Sequence, residues 1–331
     1  MSKLFDYFKT RRWIRLKKWL AYFRLSRLIR WAIYIALGVW VYNNWHESLD
    51  PVNLQAKYTL PGSTFIPVDG MQVHCRISGK GPTTVLLLHD ANSSLHTWNG
   101  WTDTLSATCK VISVDLPGYG LTGPHPRGSY SAFMYASFLD SLVARLDLKK
   151  FVLAGNGLGA EIAWFYATES PDKLEKLVLL DAPGFEAEKS SALRWVAQIP
   201  VINRTFWKIT PREFIRIMLE DVYADDRDVS DALVERHFEL LRYPGNRKAF
   251  TDRAQVEENH PPVDEVKKIT TPTLILWGAE DTRISPEHAY SFYRSISKSL
   301  IRIYRNTGHW PQEENAAQSA SDVKAFLEGR F

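Results

Sequence analysis

From residue 60 onward the sequence alternates between short apolar runs and stretches with helical periodicity. Residues 84–88, 151–154 and 273–277 are typical of these runs, and none of them contains a charged side chain. Continuously apolar strands are characteristic of parallel sheets, because helices cover both faces of such sheets. The sequence therefore predicts an α/β fold with a mostly parallel central sheet and helices on both faces, preceded by a hairpin of residues 64–68 and 71–77.

The alternation stops between residues 184 and 264. This region contains helical patterns, prolines and aromatic residues instead of further apolar runs. We interpret it as a helical cap inserted into an α/β core of residues 60–183 and 265–331. Cap helices are predicted at residues 193–199, 211–219 and 231–241.

The first 46 residues carry a net charge of +9, whereas the remainder of the chain carries −5. Residues 31–45 are uncharged but too short to span a bilayer alone. A helix of residues 25–45 would reach roughly 31 Å at about 1.5 Å per residue, with its arginines extended toward the lipid headgroups. Aromatic side chains flank the apolar run, as they do at membrane interfaces. We therefore predict that residues 1–46 hold a basic amphipathic segment and a single membrane-anchoring helix that contacts lipids.

Three alternatives compete with a membrane span. Residues 13–23 mix apolar and basic side chains at helical spacing, so the segment could lie on the membrane surface as a monotopic helix. A cleaved signal peptide fits poorly, because the basic region is too long and no cleavage-site pattern follows. A nucleic-acid arm leaves the apolar helix unexplained, and we expect no nucleic-acid partner. The positive flank predicts a cytoplasmic N-terminus and a body on the far side, periplasmic or extracellular.

Two cysteines, Cys75 and Cys109, fall within predicted strands. They show no metal-binding spacing and are too few for a disulfide framework, so we expect buried small side chains. The sequence indicates no metal site and no cofactor.

The loops that follow the predicted strands carry the candidate chemistry. The turn Gly155-Asn-Gly-Leu-Gly159 follows one strand directly and leads into a helix. Asp281 follows a later strand, and His309 follows the last one. Parallel strands place their carboxyl ends at one edge of the sheet, so these residues are expected to converge there. Their order along the chain is that of a nucleophile, its orienting acid and its base.

This arrangement resembles the α/β-hydrolase family with a helical cap, across about residues 60–330. The resemblance, which is to serine hydrolases of the carboxylic-ester type, implies that His309 is a general base whose tautomer is fixed by Asp281. It also implies that the backbone N–H of Leu158 is one oxyanion donor. A second donor is expected near Asp90 or Ala91.

The sequence departs from the family's pattern at two positions. The family's nucleophile is Ser, Asp or Cys, but the centre of the elbow is Gly157, which has no side chain. The usual His-Gly of the oxyanion loop is His89-Asp90 in this chain. A carboxylate that points inward at that loop would repel a developing oxyanion. We therefore expect the covalent serine route to be closed.

Three functions are open at this stage. In the first, the protein is a non-catalytic binder that holds an apolar small molecule between cap and sheet, against Trp98, Tyr119 and Trp310. In the second, it hydrolyses an ester with a water that His309 activates in the space left at Gly157. In the third, it is an ester hydrolase inactivated by a Ser-to-Gly change at position 157, which does not account for the second departure.

Overall fold

The structure is a computed structural model that describes residues 27–185, 208–256 and 263–331. The strands of the described residues are β1 (Ser63–Val68), β2 (Met71–Ser78), β3 (Thr83–Leu88), β4 (Cys109–Val114), β5 (Phe151–Asn156), β6 (Leu174–Leu180), β7 (Thr273–Gly278) and β8 (Ser299–Tyr304). They form one sheet in the order β1-β2-β4-β3-β5-β6-β7-β8. β2 is antiparallel to β1 and β4, and all other pairs are parallel. The predicted hairpin and mostly parallel sheet are confirmed.

The helices of the described residues are α1 (27–43), α2 (Pro51–Tyr58), α3 (Asn99–Leu105), α4 (Ala132–Arg145), α5 (Leu158–Glu169), α6 (Arg212–Glu220), α7 (Asp231–Leu241), α8 (Asn246–Gln255), α9 (Glu287–Ser295), α10 (Pro311–Glu314) and α11 (Ala316–Leu327). A 3-10 turn, Leu95–Trp98, leads directly into α3.

Two apolar layers lie on opposite faces of the sheet. Leu86 and Leu88 of β3 point into a core shared with α4, α5 and α9. Val85 and Leu87 point the other way, into a core shared with α3 and α11. Successive side chains of a strand face opposite sides, so a continuously apolar strand supplies both cores. Cys75 and Cys109 are buried in these layers as free thiols, as predicted.

The cap contributes α6, α7 and α8. Ser230 caps the first turn of α7, where its hydroxyl accepts a hydrogen bond from the Leu233 N–H at 3.2 Å. Apolar side chains of α6 and α7 form a third cluster, which also contains Trp310 from the loop after β8. The cap is therefore joined to the carboxyl edge of the sheet through an aromatic side chain. The helix predicted at residues 193–199 lies outside the described residues.

The described residues 27–46, together with Lys208–Thr210, belong to one compact unit, and the other described residues belong to a second. α1 belongs to the first unit, and its large apolar side chains are exposed. None of the helices in the described ranges combines the length and the apolarity that a bilayer crossing requires. The predicted surface helix at 13–23 and the start of the predicted span fall in residues 1–26, outside the described residues.

Candidate functional site

The elbow between β5 and α5 is as sharp as the sequence predicts. Gly157 sits at its tip with φ +51° and ψ −116°, and its N–H donates to the Leu180 carbonyl at 3.0 Å. A Cβ on Gly155 would overlap the backbone of Gly159, and a Cβ on Gly159 would overlap the carbonyl of Leu88. Glycine at both flanks is thus required for the helix to start this close to the strands.

His309 and Asp281 meet at the carboxyl edge of the sheet. Nδ1 of His309 lies 2.8 Å from Oδ2 of Asp281. The other carboxylate oxygen accepts hydrogen bonds from the backbone N–H groups of Arg283 at 2.8 Å and Ile284 at 3.0 Å. Both side chains are buried. The structure therefore brings together the predicted base and acid in the geometry that fixes one imidazole tautomer.

Asp90 points inward and occupies the oxyanion donor. Its Oδ1 accepts the Leu158 N–H at 2.9 Å. Its Oδ2 accepts the indole N–H of Trp310 at 3.2 Å and lies 3.4 Å from Nε2 of His309. The N–H that the sequence assigned to a substrate oxyanion is consequently bound to a carboxylate of the protein itself.

The Asp90 side chain occupies the side-chain position at Gly157. A Cβ built on this glycine would overlap the Asp90 carboxylate, which lies closer than the 3.0 Å that real Cβ contacts essentially always keep. A water activated by His309 at this position would therefore have to share it with Asp90. The two departures from the family's pattern are thus one arrangement, in which a carboxylate takes the place of the missing side chain.

The charges of the three buried side chains support one another. Burial disfavours a charge on His309, but the charge and hydrogen bond of Asp281, with Asp90 on the other side, outweigh it and raise the His309 pKa well above its usual value. Burial likewise opposes ionisation of Asp90, yet His309 holds the Asp90 pKa well below its usual range. The pKa of Asp281 is also lowered. The resting site is an imidazolium between two carboxylates, and a protonated Nε2 cannot act as a base.

Asp181, directly after β6, is a fourth buried group near the dyad, and no sequence motif identifies it. Burial and the neighbouring Asp281 raise its pKa well above the usual value, so it is a neutral acid that accepts the Gly278 N–H at 3.0 Å. Among the described residues, Asp181, Asp281 and His309 form the one cluster close enough to ligate a metal. Two of these groups, Nδ1 of His309 and Oδ2 of Asp281, are already hydrogen-bonded to each other.

His89 and Trp98, two of the predicted site residues, do not face a ligand. Nδ1 of His89 donates to the Asp90 carbonyl at 2.7 Å, and Nε2 accepts the Leu116 N–H at 2.9 Å. The pKa of His89 is lowered, chiefly by burial, so the ring is neutral. Its two hydrogen bonds connect the loop after β3 to the loop after β4. Trp98 is fully buried beside Trp101 in the core under α3, so its predicted role as a pocket residue is wrong.

A pocket lies between the cap and the loops after β3 and β4. Its empty space is about 620 Å³ when the open mouth is included. Five apolar side chains of α6 and α7 form the cap side of its wall: Ile215, Met218, Leu219, Leu240 and Leu241. Ala91, Tyr119 and Trp310 form part of the lining, and Trp310 also donates to Asp90. Ala91 of the predicted oxyanion loop and Trp310, a predicted pocket residue, therefore connect the ligand space to the Asp90 carboxylate at the nucleophile position.

A second chain of Ser, His and Asp lies at the amino-terminal hairpin. The hydroxyl of Ser63 is 2.9 Å from Nε2 of His74, whose Nδ1 is 2.7 Å from Oδ2 of Asp115. Asp115 also accepts the N–H groups of Leu95 and Leu121. This network ties the hairpin to the loops beneath the pocket. No sequence motif predicts this network, because Ser63 and His74 lie on strands that pair only in the folded chain.

Comparisons with known proteins agree with this fold. A family model described as alpha/beta hydrolase fold matches residues 83–316. A 2-hydroxy-6-oxononadienedioate/2-hydroxy-6-oxononatrienedioate hydrolase of Cupriavidus pinatubonensis is 25% identical over 295 residues, covering 83% of this chain and 98% of that protein. The solved structure of a membrane phospholipase A is 23% identical, with a TM-score of 0.68, and covers 93% of this chain and 98% of that one. A thermophilic esterase from Thermogutta terrifontis is 21% identical with a TM-score of 0.69, covering 81% and 98%.

Proposed function

The chain belongs to the α/β-hydrolase fold family, and from that premise we propose that it binds an apolar small molecule beneath its cap without using a serine nucleophile. The pocket lies beside the carboxyl edge of the sheet, where open α/β sheets bind their ligands, and part of its wall is apolar. The catalytic edge below it has become an ion cluster of His309 with Asp90 and Asp281. Recognition then persists where covalent chemistry does not.

One observation carries the proposal. The carboxylate of Asp90 is seated on the Leu158 N–H, in the volume that a nucleophile at position 157 would need. A substrate oxyanion would have to displace this carboxylate and then meet its charge. Removing one oxyanion donor alone costs about 10²–10³ in rate, and here the nucleophile is missing as well.

Ester hydrolysis without a serine is the second candidate. It is favoured by the retained pair of His309 and Asp281 and by the relatives that carry hydrolase names. It is opposed by the protonated state of His309, whose Nε2 faces Asp90 rather than a water site. A natural or introduced Ser-to-Gly change in an active esterase would explain Gly157 but would leave the inward carboxylate without a role.

A fluorophosphonate probe together with an ester assay tests the proposal. The full-length protein should neither label nor hydrolyse p-nitrophenyl butyrate, because no activated serine lies at the elbow. Labelling that disappears in Ser63→Ala would instead identify the second Ser-His-Asp chain as the reacting group. Turnover that disappears in His309→Ala would contradict the proposal in favour of water activation by the dyad.

We also propose that the N-terminal segment holds the protein at a membrane, as a single-pass anchor with the body on the periplasmic or extracellular side. The +9 charge of residues 1–46 and the exposed apolar side chains around α1 support this location. A solved membrane phospholipase A aligns with 93% of this chain. A helix that lies on the membrane surface is the alternative arrangement.

A further inference from the structure

Two polar side chains in the pocket wall each have a buried acceptor atom that receives no hydrogen bond from the described residues. Nδ1 of His237 lies 2.9 Å from the Leu233 carbonyl and must donate to it, since a carbonyl cannot donate. Nε2 of the same ring is therefore a bare acceptor, and it has no hydrogen-bond partner in the described part of the chain. Burial lowers the pKa of His237 to about 3, which keeps the ring in this neutral form.

Asn246 is the second such group. Its side-chain amide N–H groups donate to the Gly120 carbonyl at 3.0 Å and the Leu240 carbonyl at 2.9 Å. These two bonds use both hydrogens and fix the orientation of the amide. Oδ1 is left as a buried acceptor with no partner among the residues that the structure describes. Asn246 and His237 both line the pocket, and both are more than nine-tenths buried.

Unfilled buried acceptors are uncommon in native proteins and cost stability, so two of them on residues of one pocket wall point to bound molecules, water or a ligand, that supply donors. An ionised carboxylate has no donor to offer, although Arg283 at the pocket wall would attract its charge. An ammonium group has donors, but Arg283 would repel it. A hydroxyl group supplies a donor without a charge.

We infer that the pocket recognises a neutral amphiphile, with its apolar chain against the cap helices and its hydroxyl groups donating to His237 and Asn246. This inference rests on the proposed binding function and adds the class of ligand. The stacking of the His237 ring on Trp310, at 5.6 Å between centroids, places the recognition group next to the residue that donates to Asp90. Ligand binding should therefore change the fluorescence of Trp310.

Three probes with the same acyl chain test the inference on the full-length protein in nanodiscs: 1-monooctanoylglycerol, methyl octanoate and octanoate. Tryptophan fluorescence should give saturable binding of the monoacylglycerol about tenfold or more tighter than that of the methyl ester, because only the former has hydroxyl donors. His237→Phe keeps an aromatic ring on Trp310 but removes the acceptor, so it should reduce this preference by about tenfold. His125→Phe, which removes a histidine outside the pocket with its own unpaired Nδ1, should leave the preference unchanged.

Each other outcome has a definite meaning. Equal affinities for the ester and the monoacylglycerol would overturn hydroxyl recognition while leaving a binding protein. Tightest binding of octanoate would show that Arg283 selects an anion, and it would also overturn the inference. Release of octanoate from either ester would contradict the proposed non-catalytic function instead. Absence of saturable binding for all three probes would contradict both. If His237→Phe does not fold, the comparison of probes on the unmodified protein still decides.

Discussion

The carboxylate of Asp90 stands where a side chain on Gly157 would stand. Its Oδ1 takes the Leu158 N–H, and its Oδ2 faces His309 and Trp310. A side chain at the elbow therefore overlaps Asp90 in the conformation that Asp90 adopts here. The Asp90 carboxylate gives His309 a second anionic neighbour, opposite Asp281, at the position where the elbow has no side chain.

Restoring the serine alone should not restore hydrolysis. Gly157→Ser forces a side chain into the Asp90 carboxylate and leaves the oxyanion N–H blocked. Adding Asp90→Gly clears both the volume and the donor, so the double variant should hydrolyse p-nitrophenyl butyrate roughly 10²–10³-fold faster than the single one. A folded double variant that neither turns over this ester nor labels with a fluorophosphonate would indicate that the pocket has diverged as well.

The ion cluster makes stability depend on pH in a defined direction. The raised pKa of His309 contributes stability that is complete below its unfolded value near 6.5 and is lost as pH rises through the folded pKa. The lowered pKa of Asp90 contributes stability that is complete above about 4 and is lost as pH falls. The stability advantage of the unmodified protein over Asp90→Asn should therefore be greatest between about pH 4 and 6.5. Urea unfolding across pH would measure it, and a difference that grows above pH 7 would contradict this charge assignment.

Two buried aspartates should lose very different amounts of stability on the same substitution. Asp181 is neutral, so Asp181→Asn keeps its charge and its acceptor and should change the free energy of unfolding by less than about 1 kcal/mol. Asp115 is ionised, with a pKa lowered to about 2 because the pull of His74 outweighs burial, and Asp115→Asn should cost about 3–5 kcal/mol. Denaturant melts of the two variants check this, and equal losses would show that both groups carry the same charge.

The fold and the outline of the site could be predicted because their signals are local. Apolar runs such as residues 84–88 identify the strands, and the glycines around Gly157 identify the elbow. Asp281 and His309 are then expected to come together, because each follows a strand that ends at the same edge of the sheet. These features depend on neighbours in the chain, so one sequence contains them.

The interior of the site depends on side-chain directions that no local pattern encodes. The sequence raised an inward Asp90 as a threat to catalysis but could not show that it fills the space at Gly157. The direction of Trp98, which points into the core under α3, and the unpaired acceptor of His237 are likewise set by packing between distant elements. Asp181 is notable only because burial and Asp281 keep it neutral.

The proposed anchor predicts a soluble body. Deleting residues 1–46 removes the +9 segment and leaves a chain of net charge −5, which has no comparable attraction to lipids. The truncated protein should appear folded in the soluble fraction by circular dichroism, while the full-length protein stays with membranes after a salt wash. Retention of the truncated protein in washed membranes would show that another surface binds the bilayer.

A double-mutant cycle between Gly157 and Asp90 tests the central claim most directly. Gly157→Ala adds only the Cβ that would overlap the carboxylate, and Asp90→Gly removes that carboxylate. The backbone strain of alanine at φ +51° is present in both backgrounds and cancels from the cycle. If Asp90 fills this space, Gly157→Ala should lower the free energy of unfolding by about 1–3 kcal/mol less in the Asp90→Gly background than in the unmodified protein. Urea unfolding would measure the difference. Equal costs in the two backgrounds would mean that Asp90 does not occupy the nucleophile position.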